Sequence, residues 1–184
     1  MNLDDRCGEH FRYRDLLECG DTWRRLAAAS SPDAPPLNVP QAAETFAALR
    51  ALCAAVLDPV VRRFGPIELT YGFASPSLTR HVEGRIAPTL DQHAACEVNA
   101  AGRPVCARLG AAADFVVPGV DSREVAAWVA KETAFDRLYF YGLDRPIHVS
   151  SGPEASRSIV HLRRGPSGRR VPRVIGVEAL HRLR

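Results

Sequence analysis

The strongest periodic signal along the chain begins at Pro40. In PQAAETFAALRALCAAVLDPVVRRFG, apolar residues return at Ala42, Phe46, Leu49, Cys53, Val56, Val60 and Phe64, which places them on one helical face. Pro40 near the start and Gly65 at the stop bound that helix. Pro59 lacks a backbone N–H and predicts a kink or break near Leu57. A second helix is expected over DSREVAAWVAKET (121–133), opened by Asp121 and Glu124 as a capping-box-like pair.

Strand-like patterns occupy IELTYGF (67–73), GAAADFVV (110–117), DRLYFYG (136–142), PIHVS (146–150), SIVHLRR (158–164) and RVPRVIGV (170–177). The Pro-rich SSPDAPPLNVP (30–40) reads as a loop, and SPSLTRHVEGRIAPTLDQH (75–93) as a long irregular stretch. Long irregular segments inside compact domains are usually functional. Helices come early and strands late, with few strand–helix–strand units, so the pattern favours an α+β fold over a doubly wound one.

Length and composition narrow this further. A chain of 184 residues, 46% hydrophobic and 24% charged, suits one folded domain spanning 1–184. No apolar run reaches the roughly 20 residues that cross a bilayer, and MNLDDRCGEHFRYRDLLECG is too polar for a secretory signal. The expected location is therefore cytoplasmic. Five cysteines, with no CxxC pair, are expected to be free thiols rather than a zinc ribbon or a disulfide framework.

Charge is unevenly placed. Residues 157–184 hold eight Arg against Glu178 alone, a local +7 that leaves the preceding stretch at −4 within the overall +3. Lys131 is the only lysine, so the arginine abundance reflects compositional bias as much as function. RRGPSGRRVPR could contact nucleic acid or another polyanion. No aromatic residue interleaves with those arginines, and the first expectation is a solvated basic turn followed by a short helix.

His93, Asp114 and His148 are the residues with chemical promise. Two imidazoles and a carboxylate are the three nitrogen and oxygen ligands that a catalytic zinc requires, with a fourth position open for water. Taken singly, each is as readily a satisfied buried polar group or a strand-end cap.

A series of phrases adds to that reading. HFRYRDLLECG, LNVP, LDPVVRRFG, TYGFAS, DQH, LGAAADF, FDRLYFYG and RPIHVS follow one another over roughly residues 11–150. In that order they resemble the zinc D-alanyl-D-alanine carboxypeptidases and their relatives with a Hedgehog-type domain. DQH and LGAAADF resemble the two halves of that family's Ser-x-His-x-x-Gly-x-Ala-x-Asp run, and RPIHVS its final histidine strand. The resemblance implies a small antiparallel sheet flanked by helices over the 11–150 core, with 157–184 as a basic C-terminal extension. It also implies Zn2+ held by His93, Asp114 and His148, and hydrolysis of an amide bond in a small peptide-like substrate.

Three departures qualify the implication. His93 and Gly110 are 17 residues apart, an insertion of 14 relative to the family run, and it carries Cys96, Glu97 and Cys106. Either His93 keeps its role with the insertion looped out, or Cys106 donates a thiolate in its place. Ala74 stands where the family has a substrate-binding arginine, leaving Arg80 or Arg85 as substitutes. Arg145 stands where the family has its catalytic glutamate, and Asp144 is the nearest carboxylate to serve as general base. The expected activity is thus zinc-dependent amide hydrolysis. The alternatives are a repurposed metalloenzyme of small-molecule biosynthesis on the same fold, or a non-catalytic binding module whose basic segment contacts nucleic acid.

Overall fold

The computed structural model describes residues 2–31, 33–34, 36–83, 87–165 and 168–183. Short helices α1 (Tyr13–Leu17) and α2 (Asp21–Ala29) precede the long apolar helix, which runs as α3 (Ala43–Leu52), a π-helical turn (Cys53–Leu57) and α4 (Asp58–Phe64). The break expected near Leu57 is this wider turn. Leu57 and Asp58 keep helical angles. Opening the turn relieves the clash between the Pro59 ring and the carbonyl of the preceding turn without ending the helix.

The remaining elements are β1 (Glu68–Tyr71), α5 (Pro76–Thr79), β2 (Ala111–Val116), α6 (Ser122–Glu132), β3 (Arg137–Phe140), β4 (Ile147–Ser151), β5 (Ser158–Arg164), β6 (Arg170–Ile175) and α7 (Val177–Leu180). The six strands form one sheet in the order β1-β2-β4-β3-β5-β6. The architecture is α+β, as the sequence pattern predicts, but the sheet is mixed rather than antiparallel, because β3 and β5 run parallel. The cause is the short connection 152–157. It reverses the chain directly from β4 into β5, on the two sides of β3, so a strand antiparallel to β4 must lie parallel to β3. Residues of the basic C-terminal stretch form β5, β6 and α7, and β5 pairs with β3 in the same sheet.

Alternation along the strands separates two faces. Ala113, Phe115, Leu138, Phe140, Ile147 and Val149 are buried with Leu49, Leu52 and Val56 of the long helix and Val125 and Val129 of α6 in one apolar core. The side chains between them face the other way. Cross-strand partners Tyr71–Asp114, Asp114–His148, His148–Tyr139 and Tyr139–Val160 make a single row across five strands. Partners in register share a face, so the sheet itself delivers Asp114 and His148 side by side, opposite the helical layer.

Candidate metal centre

His93 reaches that row from outside the sheet. It sits in a 3-10 turn, Gln92–Ala94, capped by Asp91, whose carboxylate accepts from His93 N at 3.1 Å. Gln92 anchors the turn. Its amide donates to the Leu109 carbonyl (2.9 Å) and to Asp136 Oδ2 (3.0 Å), and its oxygen accepts from Ser150 Oγ (2.8 Å). The two family-like half phrases are thereby joined in space, Gln92 beside His93 and Leu109 at the entrance to β2.

Two glycines permit the close approaches. Gly110 has φ +79°, and a Cβ there would lie 2.1 Å from the Ser151 carbonyl oxygen. A Cβ on Gly72 would lie 2.1 Å from the Leu16 carbonyl oxygen, in the turn whose carbonyl receives His93. Asn38 secures this turn from a third side. Its amide donates to Leu17 and Phe73 carbonyls (2.8 and 2.7 Å), and its oxygen accepts from Ser75 N (2.7 Å).

The three ligand-type atoms converge. His93 Nε2 lies 3.1 Å from Asp114 Oδ1 and 3.1 Å from His148 Nδ1, and His148 Nδ1 lies 2.8 Å from Asp114 Oδ1. His93 Nδ1 is 2.7 Å from the Gly72 carbonyl oxygen, which can only accept, so Nδ1 carries the hydrogen. In the neutral ring Nε2 then presents a lone pair towards a carboxylate oxygen. That arrangement is repulsive unless a proton or a cation lies between them.

The charge balance points the same way. Burial by itself would push Asp114 up, yet His93 and His148 hold its carboxyl well below the usual carboxylate range. Burial pulls His93 down, but the Asp114 carboxylate outweighs it and raises the imidazole above its ordinary value. The pocket thus favours one positive charge at the centre of the triangle. Zinc takes such nitrogen and oxygen ligands at about 2.0–2.2 Å, which needs the triangle to widen by only a few tenths of an ångström. The imidazoles are held by aromatic rings: Tyr71 packs on His93 (centroids 4.2 Å) and Tyr139 stacks on His148 (4.8 Å, 19°). The Gly72 carbonyl is the kind of outer partner that fixes a metal-binding imidazole.

Among the described residues, His93, Asp114 and His148 are the group of ligand-type side chains close enough to share an ion. Cys106 is buried but not part of that group, and burial pushes its thiol up against the opposing pull of the Arg108 and Leu109 N–H groups. The segment between the His93 turn and β2 turns away from the triad and packs back on the chain. Val98 bridges Pro104, and Asn99 Oδ1 accepts from Ala101 N and Arg103 N to close the NAAGRP turn. Glu97 faces away from the triad: its carboxylate accepts from Gln41 N, Ala42 N and Thr45 Oγ1 at the start of α3.

The other expected site residues lie elsewhere. Asp144 is 89% exposed in the turn between β3 and β4, 4.0 Å from Arg145. Arg80 is exposed at the end of α5. Neither lines the cavity of about 500 Å³ that opens beside the triad. Arg85 falls outside the described residues. The cavity instead brings in Glu83, Arg108, Tyr139, Tyr141 and Arg170; none was a candidate site residue, although Arg170 lies in the basic RRGPSGRRVPR stretch and Glu83 in the irregular 75–93 segment. The alternating DRLYFYG strand, with two tyrosines on one face, is a further local signal for Tyr139 and Tyr141. No match was found among protein-family models, curated proteins or solved structures. Geometry and chemistry therefore carry the functional reading.

Proposed function

We propose that this protein is a zinc-dependent hydrolase that cleaves an amide bond in a small peptide-like substrate, with His93, Asp114 and His148 as the metal ligands. The observation that supports it most is the convergence of those three atoms on one buried point while His93 is locked by the Gly72 carbonyl. Bound zinc would polarise a substrate carbonyl and make water nucleophilic near neutral pH. The chain's own residues do the rest. Asp114 stays anionic, Tyr71 and Tyr139 hold the imidazole planes, and the sheet floor with Val82, Glu83, Ala87 and Leu90 lines a cavity of small-molecule size. A proton carrier must reach the reacting atoms. Glu83, which lines the cavity, takes that role in place of Asp144.

A second reading keeps the metal and changes the reaction to a step of small-molecule biosynthesis. The exposure of Arg80 and Asp144 away from the cavity favours it, because both elements expected for peptide cleavage are displaced. Hydrolysis of D-Ala-D-Ala and related short peptides by the zinc-loaded protein separates the two. The peptidase reading expects turnover, with Glu83→Gln lowering kcat about 100-fold at unchanged zinc content. Full zinc occupancy with no cleavage of any peptide amide would refute it in favour of the second.

A further inference from the structure

The cavity has a second chemical character away from the triad. Past Tyr139, its floor continues into Val160 and Leu162 of β5 and Pro172 of β6, an apolar wall built by the C-terminal hairpin. Two guanidinium groups line it as well. Arg108 Nη1 donates to the Tyr139 hydroxyl at 2.9 Å and to the Leu90 carbonyl at 3.3 Å, which fixes the head against the ring stacked on His148. The Arg170 guanidinium lies over the Tyr141 ring, 4.9 Å from its centroid.

Arg108 and Arg170 are both partly buried, and among the described residues neither is ion-paired with a carboxylate. Among the described residues, arginine ion pairs such as Arg14 with Asp4 and Arg123 with Asp121 involve residues outside the cavity lining. The acidic groups of the cavity are placed differently. Asp114 belongs to the triad, Asp91 accepts from His93 N, and Glu83 belongs to the loop above the sheet. A half-buried guanidinium whose plane is set by an aromatic ring keeps in-plane N–H groups to offer, and an anion with two oxygens is the partner that satisfies them.

We propose that Arg108 and Arg170 form an anion-binding wall, so that the substrate carries a carboxylate or phosphate on a short apolar stem. The stem lies against Val160, Leu162 and Pro172, and the reacting bond lies at the triad. The last part rests on the metal-dependent reading above; the wall itself does not. The elements that build it, the insertion before β2 and the β5–β6 hairpin, give those two segments a role in specificity.

The test uses metal-free protein at low ionic strength, titrated separately with inorganic phosphate and with butyrate by calorimetry. At least one probe is expected to bind, with the preferred one naming the source of the negative charge. Arg108→Gln and Arg170→Gln should each weaken it about five- to tenfold, whereas Arg63→Gln, remote from the cavity, should not. Zinc uptake by the same protein is titrated separately, so loss of metal binding with the anion retained overturns only the metal reading, and loss of the anion with metal uptake retained overturns only the wall. Absence of binding by both probes, or unchanged affinity in both cavity variants, would overturn the proposal.

Discussion

Asp136 shows how much of the site's rigidity comes from residues that never touch it. Its buried carboxylate accepts from Ser156 N and Ser156 Oγ (both 2.8 Å) and from Gln92 Nε2 (3.0 Å), so one side chain ties the 152–157 connection to the turn that carries His93. Burial tends to push Asp136 up, but these donors overcome it and hold the carboxyl below its ordinary value. A depressed carboxyl contributes stability that is present above its unfolded value, about 3.9, and is lost as pH falls through the lower folded one. Asp136→Asn is accordingly expected to be less stable than wild type at pH 7, with the gap closing below about pH 4. Urea unfolding at several pH values reads it directly. A gap independent of pH would mean that the carboxylate charge contributes nothing.

Among the elements, the segment between His93 and Gly110 has a structural role that its glutamate carries. Ala42 occupies the cap position of α3 and its side chain cannot accept a hydrogen bond. Glu97, 55 residues away in sequence from Ala42, accepts from Gln41 N and Ala42 N (3.1 Å each) and from Thr45 Oγ1 (2.8 Å), closing the start of the helix from outside. Glu97→Ala should cost about 1–3 kcal/mol through the stranded N–H groups while leaving zinc affinity unchanged. Thermal unfolding and zinc titration of the same variant check both halves; a variant as stable as wild type, or one that loses zinc, would contradict the capping role. Local patterns anticipate strands and the long helix because alternation and three-to-four spacing are local properties. They do not anticipate α1 and α2, which carry no long apolar stripe, or the parallel β3–β5 pair, which follows from where a short connection lands.

For the whole molecule, the sheet is the device that assembles the site. His93, Asp114 and His148 were legible as residue types able to bind a metal, and the cross-strand row explains why two of them meet. Arg170 lies in the basic RRGPSGRRVPR stretch and Glu83 in the irregular 75–93 segment, but neither was legible as a site residue, and Arg108 carries no local signal; only the folded cavity brings the three together. Asp144 illustrates the converse: proximity in sequence to His148 places it in an exposed turn rather than beside the triad. Among the described residues no helix is long and apolar enough to cross a membrane, and the layers are held by one apolar core.

Above all, the triad is expected to bind one metal ion. Calorimetric titration of the metal-free protein with Zn2+ measures it most directly, with melting followed in parallel. Wild type and Cys106→Ala should each take up one zinc per chain and gain about 2.7 kcal/mol when free zinc exceeds its Kd a hundredfold, whereas His148→Ala should do neither. Absence of zinc uptake by wild type, or equal uptake by His148→Ala, would contradict the account.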